Sequence, residues 1–326
     1  MDGADLAPFV GGAFDVRAVG AGIRPDTKGG FLLGAVPWGN FPHGDDARQA
    51  LYLLHCGDSP ARHAAGLLGG LCANDSRAAA ALAVPFLIAI ATDVYHPHRA
   101  AALGVLSAPA RARHFGVASR DELLLHRTDP RRHAPDDYDD YGVEVTGYPA
   151  GWSVAAARAA ITTEKSALLP LLDDHDPTIR IDAAYALATA ADPDHTVRNA
   201  FATKTAMERD AMARAALLLA AAEATRADPH PPTAAWIREH WQDRTQPPEA
   251  RLAAAIGWLC LTEDPAPEEL HHTLAVLVTE ERAQAMDALP WMTAAGSTEP
   301  GLLRCVRRML HPEEPEPDDD PWASPL

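Results

Sequence analysis

From about residue 45 to residue 310 the apolar positions recur at helical spacing, and they recur in blocks with a shared grammar. Each block has a proline, an arginine two or three residues later, paired alanines and then leucine. Four segments carry it: Pro60 to Leu68, Pro97 to Leu103, Pro177 to Leu187 and Pro248 to Leu259. The prolines are 37, 80 and 71 residues apart, which is one, two and two units of about 37. A fixed period of that size is the mark of a stacked array whose units cannot bury their apolar faces alone.

One unit reads as a helical hairpin. Proline suits the first helical position, where its missing N–H costs nothing. Ser59 and Asp176, each just ahead of such a proline, have side chains that accept from first-turn amides. The alanines share one helix face and let two backbones approach, with leucines filling the remaining space. Upstream partner helices are predicted over Asp46–His55, Leu82–Ala91 and Lys165–Leu172. Ser153–Ile161 and Asp210–Leu219 repeat the pattern without the leading proline, and further helices follow over Pro267–Val278 and Gly301–Leu310.

The segment LLPLLDDHDPTIRIDAAYALATA, with Asp176, Pro177, Ile179, Arg180, Ala183, Ala184 and Leu187, resembles a HEAT repeat of the bacterial type related to phycobilisome-lyase repeats. Weaker copies extend the likeness over the array, and the run from Trp38 through AVPFLIAIATD is similar to HEAT-like proteins common in high-GC actinobacteria. The resemblance implies an all-α fold, a right-handed α-solenoid of six or seven hairpins. It also implies that the recurrent arginines, Arg62, Arg99, Arg180 and Arg251, form with the Asp near the hairpin turn a structural ladder between units; a ligand-binding stripe is the alternative. Some such proteins look like immunity proteins that accompany toxins.

Three regions depart from the array. Residues 1–44 hold ten glycines and four prolines and read as a loop-rich leader packing on the first repeats, with a short strand over Phe31–Val36. Residues 311–326 hold six acids, five prolines and no Lys or Arg, and read as a disordered acidic tail. At about 109–152 the period breaks into a stretch dense in Asp, Tyr, Pro and Gly. Long connections of that kind inside a compact array are often functional. They place Asp136, Asp137, Tyr138, Asp139, Asp140, Tyr141, Glu144, Tyr148 and Trp152 in one candidate partner-binding segment. Tyrosine offers a rigid ring with one polar end, and carboxylates draw in a basic partner. Folding back to plug the array is the competing role for this insert.

The 326 residues carry 28 Lys+Arg against 45 Asp+Glu, a formal charge of −17. That balance disfavours nucleic acid and anionic lipid as partners. The four cysteines are widely spaced, no signal-peptide pattern opens the chain, and no apolar run is long enough to span a bilayer, so a cytoplasmic protein is expected.

Nucleotide-binding and zincin signatures are absent, and Gly151-Trp152-Ser153-Val154-Ala155 lacks the last glycine of a hydrolase elbow, leaving Ser153 as a helix cap. His96, His98, His126 and His133 lack the spacing of a metal site, so neither a metal nor a cofactor is expected. Trp236, Trp241 and Trp258 are expected to pack in the core or at hairpin turns.

The expectation is therefore a non-enzymatic module for a basic protein partner, in its sharper form an immunity protein covering a cationic toxin. An enzyme using Asp, His and Tyr at the insert, and an assembly scaffold, are the alternatives.

Overall fold

A computed structural model describes residues 14–56, 61–71, 77–111, 118–125, 144, 146–191, 193–226, 231–296 and 301–312. Among them the chain is all helical, with no strand. The acidic tail beyond residue 312 lies outside the described residues.

The described part of the leader, residues 14–44, is more ordered than its glycine content suggests. Helix α1 (Val16–Ala21) is capped by Asp15, whose carboxylate accepts from the Arg17 amide at 2.9 Å. Helix α2 (Pro25–Gly29) starts on a proline. The strand expected over Phe31–Val36 is instead a 3-10 turn, Leu33–Ala35. Phe31 sits at φ +50°, which ends any extended run, and among the described residues no second strand offers it a ladder. Trp38 fixes the turn by donating its indole N–H to the Leu33 carbonyl at 2.8 Å.

Helices α3 (Gly44–Cys56), α4 (Ala61–Leu71), α5 (Arg77–Thr92) and α6 (Arg99–Leu106) follow. Almost every residue of α5 is buried, and it tolerates Pro85 in its interior. Pro97, expected to open its helix, lies outside α6, which begins at Arg99. Beyond the insert come α7 (Trp152–Thr163), α8 (Lys165–Leu168) continued by a 3-10 turn (Leu169–Asp173), and α9 (Pro177–Ala188). Then come α10 (His195–Met207), α11 (Ala211–Arg226), α12 (Pro231–Gln242), α13 (Pro248–Leu261), α14 (Glu268–Leu277) and α15 (Glu280–Met286). A 3-10 turn (Pro290–Ala295) and α16 (Gly301–Leu310) complete the body.

Helix starts follow the local chemistry. Asp176 caps α9 through the Thr178 amide at 2.9 Å, with Pro177 at the first helical position. Asp194 caps α10 through the Thr196 and Val197 amides. Ser153, expected to be a cap, lies inside α7, whose N-cap is Gly151 at φ +80°.

Helices α4, α6, α9, α11 and α13 pack side by side in chain order, each against the next. Their small residues set the spacing: Ala183, Ala184 and Leu187 are fully buried, and a Cβ added to Gly257 would stand 3.1 Å from that of Ala222. Arginines near the helix starts tie the row together. Arg99 pairs with Asp174 at 2.7 Å, and Arg180 makes two bonds to Glu208 at 2.7 and 2.9 Å. Arg214 reaches Gln246 at 2.8 Å, and Arg282 lies 3.6 Å from Glu249. Arg251 instead bonds the Trp241 carbonyl of its own hairpin, and the side chain of Arg62 lies outside the described part. Trp241 and Trp258 meet edge to face at 6.3 Å in the core, whereas Trp236 packs on His240.

Candidate functional site

The insert is fastened at both ends. At its far end, Gly147 adopts φ +83°, where a side chain would be strained, and lets the chain double back from Glu144 to Tyr148. The Glu144 carboxylate then takes over the capping of α7. It accepts the Ser153 amide at 2.9 Å and the Ser153 hydroxyl at 2.6 Å. Burial pushes the Glu144 pKa up, against the lowering effect of those two bonds and of Arg77. The Tyr148 ring is buried in the core, which raises its phenol pKa. Trp152 donates its indole N–H to Asp15 at 2.9 Å, and the Arg17 guanidinium lies 4.3 Å over its ring.

Of the nine candidate residues, Glu144, Tyr148 and Trp152 are thus turned onto the body and hold the insert to α1 and α7. Asp136, Asp137, Tyr138, Asp139, Asp140 and Tyr141 lie outside the described residues.

At the near end, residues 118–125 lie across the ends of α11, α13 and α16. Arg120 donates to the carbonyls of Met309 (2.6 Å), Asp264 (2.9 Å) and Thr262 (3.3 Å). Arg226, the last residue of α11, donates to the Asp121 carbonyl and carboxylate and to the Leu124 carbonyl.

Between them sits Glu223, fully buried in α11. Its carboxylate accepts Arg111 at 2.5 and 3.1 Å, the Trp291 indole at 2.9 Å and the Leu125 amide at 3.2 Å. Arg111 also bonds the Thr189 hydroxyl at 3.0 Å and stacks 3.6 Å from the Tyr185 ring centre. Two desolvated charges survive here because nearly every donor and acceptor is matched.

The consequence is geometric. From Ala215 to Arg226 every residue of α11 is buried, with α9 and α13 beside it and with residues 118–125 and the Pro290–Ala295 turn reaching Glu223.

A third feature lies where α6 meets α9. The Asp182 carboxylate has no hydrogen-bond donor among the described residues, and burial with the nearby Asp176 charge holds its pKa up to about 7. Its Oδ2 lies 3.6 Å from where a Cβ on Gly104 would stand, and Gly104 itself is exposed. The carboxylate therefore reaches solvent past a residue without a side chain.

His55, stacked on Phe31 at 3.9 Å, faces His96 at 5.3 Å, and His96 faces His98. Burial and the His96 charge lower the His55 pKa. Among the described residues no group of three or more His, Cys, Asp or Glu is arranged to hold a metal ion. No helix of the described residues is long and apolar enough to cross a membrane.

Glu223, Arg111 and Asp182 were not among the residues singled out by sequence. The signal for Glu223 is one acid in the run AALLLAAAEATR, where only a buried partner makes a charge tolerable. Comparison of the chain with family models, curated proteins and solved structures found no match.

Proposed function

We propose that this chain is a HEAT-like protein, a right-handed α-solenoid of six or seven hairpins, that binds a basic protein partner and performs no chemistry of its own. The successive packing of α4, α6, α9, α11 and α13 and the arginine ties between their turns support the solenoid reading. The binding segment in this reading is Asp136 to Tyr141. The observation that carries it is the fastening of the insert on either side of a run of four aspartates and two tyrosines, in a chain of charge −17. Pinned ends lower the entropy lost when such a segment is captured, and its charge accelerates encounter with a cationic surface.

In the sharper form the partner is a cationic toxin, and the protein is an immunity factor that acts in the cytoplasm. No cofactor, nucleic acid or membrane enters the reading.

The test uses Asp136, Asp137, Asp139 and Asp140 replaced together by Asn, with a toxin domain encoded by a neighbouring gene as the partner. Wild-type protein is expected to keep co-expressing cells alive. The quadruple variant should associate with the purified toxin about tenfold or more slowly at low salt, with the difference shrinking as salt rises. Cells that die as fast with the wild-type protein as without it would refute the immunity form. Equal association rates for variant and wild type would refute the role of the insert.

A further inference from the structure

The α6–α9 junction holds a second acidic feature that the insert does not explain. A carboxylate in a packed helix junction normally finds a donor, since desolvating its charge without one is costly. Asp182 has none among the described residues, whereas two arginines of this part of the fold are engaged elsewhere. Arg99, on α6, is committed to Asp174 and to the Ala91 carbonyl. Arg111, from the start of the insert, is committed to Glu223 and Thr189. Neither of these two bases bonds Asp182.

One turn along α9, Tyr185 shows how a cation sits on this strip. The Arg111 guanidinium stacks on the Tyr185 ring 3.6 Å from its centre. Asp182 repeats the offer of a cation site one turn toward the helix start, this time opening outward past exposed Gly104.

We propose that Asp182, in the notch between α6 and α9 beside Gly104, is the acceptor for an arginine or lysine side chain presented by the basic partner. The identity of the occupant rests on the reading of the partner as basic; the existence of a cation-accepting notch does not. Among the described residues the charge that acts on it is that of Asp176 on its own helix, and Asp182 in turn acts on Tyr185 one turn along. The attraction of an incoming cation would offset the burial and the Asp176 repulsion that now favour the protonated acid, so its capture and the release of the Asp182 proton are coupled.

The experiment needs no partner. The full chain, labelled with carbon-13 at aspartate carboxyl groups, is titrated by NMR with and without butylguanidinium as a stand-in for an arginine side chain. With saturating probe the Asp182 midpoint is expected to fall by one pH unit or more. That corresponds to at least tenfold tighter binding of the probe to the ionised form than to the neutral one. Gly104→Leu should leave Asp182 titrating but abolish the probe-induced shift, because the bulky side chain closes the notch. Asp182→Asn should remove the probe-induced shifts of α6 and α9 amides.

An Asp182 midpoint that the probe does not move would overturn the proposal, as would an unchanged response in Gly104→Leu. So would a midpoint that rises when Arg127, Arg131 and Arg132 are replaced by Ala, since the notch would then be filled from within the chain. A probe response combined with failure of the insert variants to slow toxin binding would sink the function proposed above and leave the notch standing.

Discussion

Truncating Glu223 to Ala tests whether the buried ion pair, rather than apolar packing, locks the insert and the C-terminal segment onto α11. The substitution removes the acceptor for three groups from three separate segments: the Arg111 guanidinium, the Trp291 indole and the Leu125 amide. Removing one partner of a buried pair costs about 3–5 kcal/mol, because the remaining charge stays desolvated. The two neutral donors lose their acceptor as well, so the middle of that range, about 4 kcal/mol, is a lower working figure. With a urea slope of about 3 kcal/mol/M, suited to a chain of this length, the midpoint should fall by roughly 1.3 M.

Amide exchange provides a local readout. The Leu125 amide should exchange up to about a thousandfold faster, since every 1.4 kcal/mol is a factor of ten. The double variant Glu223→Leu with Arg111→Met should recover most of the loss, as replacing both charges by apolar groups leaves nothing uncompensated. A midpoint shift in Glu223→Ala below about 0.3 M, with Leu125 still protected, would show that packing alone holds the segment.

Two further perturbations address the array and the acid in the junction. Ala184 is fully buried on α9, so Ala184→Trp should overpack it and cost about 1–3 kcal/mol or more; an unchanged melting curve would contradict the packed face assigned to α9. For Asp182 the carboxyl pKa is raised from 3.8 to about 7. Its stability penalty is therefore absent below pH 4, grows between pH 4 and 7, and is complete above, where it reaches up to about 4 kcal/mol. Asp182→Asn should raise the melting temperature at pH 8 and leave it unchanged near pH 4; an equal effect at both pH values would refute the assignment.

Features set by neighbours in sequence were legible from the chain. The Asp176 cap, Pro177 at the helix start and the small face of Ala183 and Ala184 are all local consequences of a few residues. The arginine ties were anticipated as a ladder with the Asp near the hairpin turn, which Arg99 and Asp174 match, but the glutamate and glutamine partners were not. Asp174, Glu208 and Gln246 meet Arg99, Arg180 and Arg214 only once separate hairpins are stacked. The strand placed at Phe31–Val36 shows the ambiguity of a short apolar run, which has no period long enough to separate strand from turn. Tyr148 and Trp152 show another. An aromatic ring with a polar end suits an interface and a half-wet core equally well. Here α1, arriving from more than a hundred residues away, supplied Asp15 and Arg17 and settled Trp152 against the body.

The distribution of charge sharpens what a formal −17 means. Arg99, Arg111, Arg180 and Arg226 are largely withdrawn from solvent, each bound to an acid. These pairs cancel in place, and removing their guanidinium groups from the surface leaves fewer exposed cations to interrupt the field of the remaining acids. The Glu223 carboxylate of α11 is likewise bonded, by Arg111, Leu125 and Trp291, and adds little to that field. Asp182, which has no donor among the described residues, is one acid left unbalanced; in the proposed function the four aspartates of the insert act alongside it. Neutralising either group should therefore weaken the salt dependence of partner association, while breaking the Arg180–Glu208 tie should lower stability and leave that dependence alone.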